Sequence, residues 1–281
     1  MSRSGDAAEA PRPSTVRADY DRVAVVTGAD SGIGRATAAA LAAQGFDVGI
    51  TYHRDERGAE RTAEEVAEAG GRAAVRRHDL ADPPAAAGVV DELADELGGL
   101  GVLVNNAGTG SSRPLVDMDY DEWRTVLAVD LDGAFLCAQR AARRMIGRGA
   151  GGRIVNVTSV HEEYPLLGAG PYCAAKGGLR MLARVLALEL SRYGITVNTV
   201  APGEIATPMT GQEDEPPEPD SRPGYPPARP GDAREVAAAV AFLAGPSASY
   251  ITGASLFVDG GLGIMGPQAA ESLTSARWRE G

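Results

Sequence analysis

The sequence predicts an α/β protein, a doubly wound parallel sheet of about seven strands with helices on both faces, in a single domain. From Arg22 onward, short β-branched runs alternate with longer Ala/Leu-rich amphipathic stretches. Several of the short runs (VAVVT, VLVNN, IVNVT) are apolar throughout, as strands covered on both faces are. Glycine is abundant (36 residues) and aromatics are scarce (5%), which suits close packing of helices on a sheet.

In chain order, strands are expected at 22–27, 47–52, 73–78, 102–105, 153–158, 196–200 and 255–258. Helices are expected near 32–44, 58–69, 84–97, 120–146, 171–193 and 232–244. At roughly 150 residues per domain a chain of 281 residues has length for two domains, but large α/β sheets run to this size as one. No internal repeat or linker divides it. Residues 1–20 are polar and Pro-interrupted and read as a mobile N-terminal arm. The catalytic domain is expected over 21–265, with a C-terminal tail at 266–281.

Composition excludes several classes. Acids outnumber bases 38 to 27, for a formal charge of −11, which argues against a general nucleic-acid binder. Two cysteines make no disulfide scaffold, and no metal-ligand spacing is present. The N-terminus lacks an apolar secretory h-region, and no apolar run approaches the ~20 residues that span a bilayer, so a cytoplasmic protein is expected.

One segment breaks the rhythm. Residues 208–231 (PMTGQEDEPPEPDSRPGYPPARPG) are rich in Pro and acid and follow neither period, which reads as a substrate lid or a disordered insert. Its acids Glu213, Asp214, Glu215, Glu218 and Asp220 are either a solvated face or a substrate filter.

The first strand leads into Thr27-Gly28-Ala29-Asp30-Ser31-Gly32-Ile33-Gly34, which opens directly into helix. Glycines here permit a tight turn and let the backbone approach a pyrophosphate, which then sits on the helix N-terminus. Alone, such a turn is a weak signal; its strand-turn-helix context strengthens it. Further along, Tyr172 and Lys176 stand at i and i+4 of one helix and share a face. A phenol ionises near pH 10, and an adjacent ammonium favours the phenolate, bringing it toward acid–base use at neutral pH. Ser159, at a strand end, is suited to hydrogen-bond a substrate oxygen. A lone Tyr-x-x-x-Lys is otherwise ordinary helix surface.

The TGxxxGxG spacing resembles the short-chain dehydrogenase/reductase family. So do Asn105-Asn106-Ala107-Gly108 after the fourth strand, Ser159 with Tyr172-x-x-x-Lys176, Pro202-Gly203-Glu204-Ile205-Ala206-Thr207, and the Val258-Asp259-Gly260-Gly261 ending. The resemblance runs over about residues 22–263. It implies a Rossmann-type fold and hydride transfer between a nicotinamide cofactor and a carbonyl/alcohol pair. Tyr172 is implied as the acid/base, Lys176 as the group that assists it and holds the nicotinamide ribose, and Ser159 as the residue orienting the substrate.

By the same resemblance, Gly28, Asp30, Ser31, Gly32, Ile33 and Gly34 meet the phosphates, and Asn106, Ala107 and Gly108 line the adenosine side. Asp79 and Leu80 reach the adenine, Thr207 and the backbone near Ile205 hold the carboxamide, and Pro202 and Gly203 are further cofactor contacts. One residue departs from the pattern: Asp130 stands where the family usually has Asn, which anchors a water in a proton relay from the lysine. Either the carboxylate stabilises the ammonium and offsets its pull on Tyr172, or the position works through its backbone.

At the end of the second strand, Tyr52, His53 and Arg54 occupy the slot where an acid would select NAD; Arg54 and His53 can meet a 2′-phosphate. NADP(H) is favoured, with NAD(H) possible, since Ser31 and Asp55 weaken the argument. The substrate wall is expected from residues 161–170 and the lid, with His161, Glu162 and Glu163 facing the pocket and Glu204 as a further substrate contact. Polar groups there suit a hydroxylated substrate, and Tyr164, Leu166 and Leu167 an apolar ketone. Cys173 and Cys137 read as packing residues.

Apolar surface on the helices 120–146 and 171–193 points to self-association, and the resemblance implies a homotetramer. Other readings are an NAD-dependent sugar or polyol dehydrogenase, a nucleotide-binding regulator that has lost its chemistry, and a dehydratase or epimerase of the larger sister type. Tyr172 and Lys176 argue against the second, the Gly spacing against the third.

Overall fold

In the computed structural model, which describes residues 20–212 and 217–275, the apolar runs become strands of one parallel sheet. They are β1 (Val23–Val26), β2 (Asp47–Tyr52), β3 (Ala73–Arg77), β4 (Val102–Asn105), β5 (Gly152–Val157), β6 (Ile195–Pro202) and, at the far edge, Ser255–Val258. The spatial order runs β3-β2-β1-β4-β5-β6 and then that last strand, all pairs parallel. Order therefore reverses between β1 and β4. In open α/β sheets, ligands bind in the crevice at such a reversal, beyond the strands' C-terminal ends.

Side-chain alternation explains why these runs are apolar throughout. Ala24 and Val26 of β1 point into one core with Val102, Val104, Val155 and Val200. Val23 and Val25 point into the other with Leu103, Ile154 and Val197. The first core is closed by α1 (Gly32–Ala42), α2 (Glu56–Glu68) and a late helix, Ala233–Ala244. The second is closed by helices whose boundaries differ from the sequence pattern.

The stretch expected as one helix at 84–97 is two, α3 (Pro83–Ala86) and α4 (Val89–Leu97), parted by Ala87 and Gly88. The stretch at 120–146 is α5 (Tyr120–Leu127), a π-turn at Ala128–Gly133, and α6 (Ala134–Arg148). The π-turn widens the backbone where Gly133 meets Leu80; a Cβ on Gly133 would lie 2.9 Å from Leu80 Cδ2. The helix α7 (Gly170–Leu190) ends three residues early, in a 3-10 turn at Ser191–Tyr193.

A short parallel pair, β7 (Ile205–Ala206) with β8 (Gly231–Asp232), closes the base of the segment read as a lid. The late helix, α8 (Ala233–Ala244), begins right after it with a capping box between Asp232 and Glu235. The edge strand is then β9 (Ser255–Val258), followed by α9 (Pro267–Ser275), so the described part of the expected tail is helical. No described helix is long and apolar enough to cross a membrane.

The arm at 1–20 lies outside the described residues except for Tyr20, and Tyr20 belongs to the core. Its side chain is buried, its ring stacks on Phe46 at 6.4 Å, and its hydroxyl donates to the Ala244 carbonyl. The Arg153 guanidinium, fully buried, lies 4.7 Å from the ring centroid. Tyr20 thus ties the chain start to α8 and covers a cation that has few other partners. Tyr20→Ala is expected to lower unfolding stability by about 3 kcal/mol. Tyr20→Phe, which leaves the carbonyl without its donor, is expected to lower it by about 1 kcal/mol. Urea unfolding checks both; two variants equal to wild type would mean that the chain start is not anchored here.

Candidate functional site

The turn after β1 is held from three sides. Thr27 Oγ1 accepts from the backbone N–H groups of Asn106 and Ala107, both at 3.0 Å. The Asn106 side-chain amide donates to the carbonyls of Thr27 and Gly28, at 2.9 and 2.8 Å. From β2, Thr51 Oγ1 accepts from Gly28 N at 3.1 Å, and the Thr51 carbonyl accepts from Ala29 N at 2.8 Å. Thr62 on α2 donates to the Ala29 carbonyl at 2.8 Å. Asn106 is therefore a clamp on the turn, a more specific task than lining it.

Packing is tight enough to require glycine. A Cβ on Gly34 would lie 2.2 Å from the Gly28 carbonyl oxygen, and Gly28 has φ +61°. At Gly32 (φ +51°) a Cβ would meet Thr207 Cγ2 at 3.0 Å, so the turn and the residues after β6 touch across the crevice. Ser31, the N-cap of α1, makes no side-chain capping bond. The helix N-terminus faces the crevice with its dipole, a place that favours an anionic phosphate.

A cleft of about 1030 Å³ runs from this turn to the ends of β5 and β6. Every residue named above as a cofactor contact lines it, from Gly28 to Thr207, as do Ser159, His161, Tyr172, Lys176 and Glu204. Asp130 lies behind the wall, against Lys176. A nicotinamide dinucleotide fits this lining: a glycine cradle at one end, and a serine, a tyrosine and a lysine at the other.

Lys176 is buried by α7 and the end of β5, where Nζ donates to the Val157 carbonyl at 3.3 Å. Asp130 Oδ2 lies 3.2 Å from that ammonium, and Oδ1 accepts from Thr109 N at 2.7 Å. Burial works against the ammonium, but the attraction of Asp130 and then Tyr172 outweighs it and holds Lys176 above the usual lysine range. Burial in turn pushes Asp130 up, and Lys176 opposes this. Asp130 lies in the π-turn, and its carboxylate is the group that meets Lys176. Gly108 keeps the space above the pair open: a Cβ there would lie 3.2 Å from Asp130 Oδ2 and 3.3 Å from Lys176 Nζ.

The Tyr172 ring centroid is 5.4 Å from Lys176 Nζ, and the His161 ring meets it edge-on at 6.3 Å. Ser159 Oγ accepts from His161 N at 3.2 Å at the start of a 3-10 turn, Val160–Glu162. That turn rotates successive side chains apart, and only His161 of the three polar residues expected in the pocket reaches it. Glu162 is buried, accepts from Ser255 Oγ at 2.5 Å and lies 3.3 Å from Arg180 Nε. Glu163 pairs with Arg180 Nη1 at 2.7 Å. Of the apolar wall, Leu166 lines the cleft, Tyr164 packs on Phe257 at 6.3 Å, and Leu167 is fully exposed.

Across the adenosine end, Asp79 lies 3.4 Å from His53 Nε2. A bond from Ala81 N, with the neighbouring His53, holds its carboxyl below the usual range. Cys137 is buried, which pushes its thiol up to about 12, as suits a packing residue. Among the described residues no group of three or more His, Cys, Asp or Glu gathers as a metal site.

Comparison with known proteins accords with this geometry. A family model described as enoyl-(acyl carrier protein) reductase matches residues 28–263. The uncharacterized oxidoreductase YohF of Escherichia coli K12 is 51% identical over 247 residues, 88% of this chain and 98% of its own. The chain belongs to the short-chain dehydrogenase/reductase family. The crystal structure of acetoin dehydrogenase YohF from Salmonella typhimurium superposes with a TM-score of 0.85 at 51% identity, over 89% of this chain and 98% of that one. Acetoin dehydrogenase from Enterobacter cloacae gives 0.83 at 51% identity, over 88% and 97%. Family membership makes the chain an oxidoreductase of alcohol and carbonyl groups and implies a nicotinamide cofactor.

Among the cleft residues of this short-chain dehydrogenase/reductase that sequence reasoning did not single out are Thr51, His78 and Tyr225. Thr51 and His78 sit at strand ends, where the apolar pattern masks a polar task. His78 Nδ1 is 3.3 Å from Thr51 Oγ1, the oxygen that accepts from Gly28 N; with that oxygen's own hydrogen donated to Nδ1, the imidazole is neutral.

Burial pushes His78 down to about 4. The unfolded chain, with an ordinary histidine near 6.5, therefore takes up the proton first. Stability falls as pH drops from about 6.5 through 4, by about 3 kcal/mol from this group once the window is crossed. His78→Asn is expected to lose about 2 kcal/mol less than wild type between pH 7 and pH 4.5, measured by urea unfolding at both. Equal losses would show that His78 does not titrate this way.

Proposed function

We propose that the chain is an NADP(H)-dependent dehydrogenase/reductase for small vicinal hydroxyketones and diketones of the acetoin type. Tyr172 is the acid/base, Lys176 its electrostatic partner, and Ser159 the residue that orients the carbonyl. The observation that carries the reading is the buried Lys176–Asp130 pair beneath Tyr172, with Ser159 on the same cleft. When bound, the nicotinamide supplies or accepts the hydride.

Ser159 Oγ donates to the substrate oxygen, and Tyr172 Oη gives that oxygen a proton in reduction or takes one in oxidation. Lys176 stabilises the phenolate left behind and can hold the ribose hydroxyls. Asp130 keeps Lys176 charged although it is buried, and moderates its pull on Tyr172. The acetoin dehydrogenases similar to this chain favour a small hydroxyketone. So does the substrate end of the cleft, where Leu166, Met209 and Leu262 supply an apolar wall around few polar groups. His161 Nδ1 donates to the Tyr164 carbonyl at 2.9 Å, so Nε2 of the neutral ring is an acceptor for a vicinal hydroxyl.

For the cofactor, Tyr52 rather than an acid ends β2, and Arg54 is exposed and makes no ion pair among the described residues. Both favour a 2′-phosphate. A homotetramer is the assembly we propose: Met181, Val185 and Leu188 form an exposed apolar stripe on α7 at i, i+4 and i+7. Light scattering measures this directly.

Reduction of 2,3-butanedione or oxidation of acetoin tests the activity. Tyr172→Phe is expected to lower kcat by about 10²-fold or more while cofactor affinity stays within about threefold. Turnover that survives the change would remove Tyr172 from its role. Asp130→Asn is expected to move the pH profile of alcohol oxidation, toward lower pH where Lys176 keeps its charge and toward higher pH where Lys176 loses it; an identical profile would leave the carboxylate without function. NADPH is expected to bind about tenfold tighter than NADH, with Arg54→Ala removing the difference. Equal or reversed affinities in wild type would sink the cofactor preference.

A further inference from the structure

The segment read as a lid is built around one carboxylate. Glu204 follows β6 in the Pro-Gly-Glu turn, and its side chain is largely buried. Its Oε1 accepts from Arg222 Nε at 2.8 Å, lies 2.6 Å from Arg222 Nη2, and accepts from Gln212 Nε2 at 3.3 Å. Its Oε2 accepts from Tyr225 Oη at 2.6 Å. Both oxygens are thus taken by residues from the two described sides of the segment.

The Arg222–Ala228 stretch is itself a compact turn. Arg222 N donates to the Ala228 carbonyl at 2.8 Å, Tyr225 N to Arg222 and Ala228 N to Tyr225, both at 2.9 Å. Its proline side rests on the end of the edge strand, where a Cβ on Gly260 would lie 2.9 Å from Pro227 Cγ. Tyr225 lines the same cleft as Met209, Leu262, Ser159 and Tyr172, and the carboxylate that holds it follows the end of β6. A large, rigid side chain fixed at its tip is suited to bound the space beside the reacting carbon.

We propose that Tyr225 is a specificity-determining residue that limits the size of the group next to the substrate carbonyl. Glu204 is the positioning residue that holds Tyr225 in place, so its carboxylate serves the wall and not the substrate. The inference rests on the reading of this cleft as a carbonyl/alcohol site. It narrows the substrate class to carbonyl compounds with small flanking groups.

The test compares 2,3-butanedione with 1-phenyl-1,2-propanedione in wild type, Tyr225→Ala, Tyr225→Phe and Glu204→Gln, with hydrogen exchange of residues 222–228 followed in each. In Tyr225→Ala the phenyl-to-methyl ratio of kcat/KM is expected to rise about tenfold or more. Tyr225→Phe keeps the ring but loses its bond to Glu204, so its ratio is expected to fall between those of wild type and Tyr225→Ala. Glu204→Gln is expected to speed exchange in 222–228 by about tenfold, a change that a wall held by other contacts would not show. A wild-type ratio in Tyr225→Ala overturns the size limit, and unaltered exchange in Glu204→Gln overturns the clasp. If wild type reduces neither diketone, it is the hydroxyketone reading that fails. The exchange measurement, which needs no substrate, still decides the clasp.

Discussion

A lysine ammonium with almost no exposed surface is the constraint around which the catalytic half of this molecule is arranged. Removing such a group from water costs several kcal/mol unless an opposite charge and hydrogen-bond acceptors replace the solvent. Asp130 and the Val157 carbonyl are those replacements, and each demands something of the fold. The carbonyl must come from the last residue of β5. The carboxylate comes from the π-turn at Ala128–Gly133, and glycine at 108 leaves room above the pair. An α/β sheet with helices packed on both faces provides the rigid frame on which these pieces can meet.

The glycine turn after β1 rests on a different physical footing. It is closed by neutral hydrogen bonds to β2, β4 and α2, by the Arg35 guanidinium donating to the Asp30 carbonyl at 2.7 Å, and by contacts that only glycine permits. Because Thr27, Thr51 and Asn106 satisfy the inward-facing amides and carbonyls, the turn is preformed before any ligand arrives. Thr51 also joins it to His78, so a buried titratable ring stands two hydrogen bonds from the backbone N–H of Gly28.

How far the molecule could be read beforehand follows from the range of each interaction. The strands were legible because burial on both faces leaves a continuous apolar run, and 47–52, 102–105 and 255–258 match the structure to the residue. The glycine turn and the Ser159, Tyr172 and Lys176 positions were legible because they are local motifs at strand ends or on one helix. The break at 128–133 was not: Ala128 to Gly133 continues the apolar periodicity, and a π-turn changes the phase without changing composition. Glu162 and Glu163 were misplaced for a related reason, since proximity in sequence to Ser159 says nothing of how a 3-10 turn rotates them. Tyr20 looked like part of a polar arm because its partners, Phe46, Arg153 and Ala244, are distant in sequence. Glu204, Arg222 and Tyr225 lie 18 and 21 residues apart with no period to connect them.

The acidic composition also takes on a different meaning once the cleft is in view. A chain with a formal charge of −11 would be expected to repel an anionic dinucleotide, yet its cleft carries several carboxylates. Most of them stand beside a basic side chain. Asp79 lies beside His53, with Arg77 at 4.0 Å; Glu204 is held by Arg222; and Asp130, behind the wall, faces Lys176. Burial raises Asp30 toward its uncharged form. At physiological ionic strength the field of remote surface acids falls off within about 8 Å, so the potential a phosphate meets is set by nearby charges and dipoles. In this cleft those are the N-terminus of α1, Arg54 and the carboxylates with their basic partners.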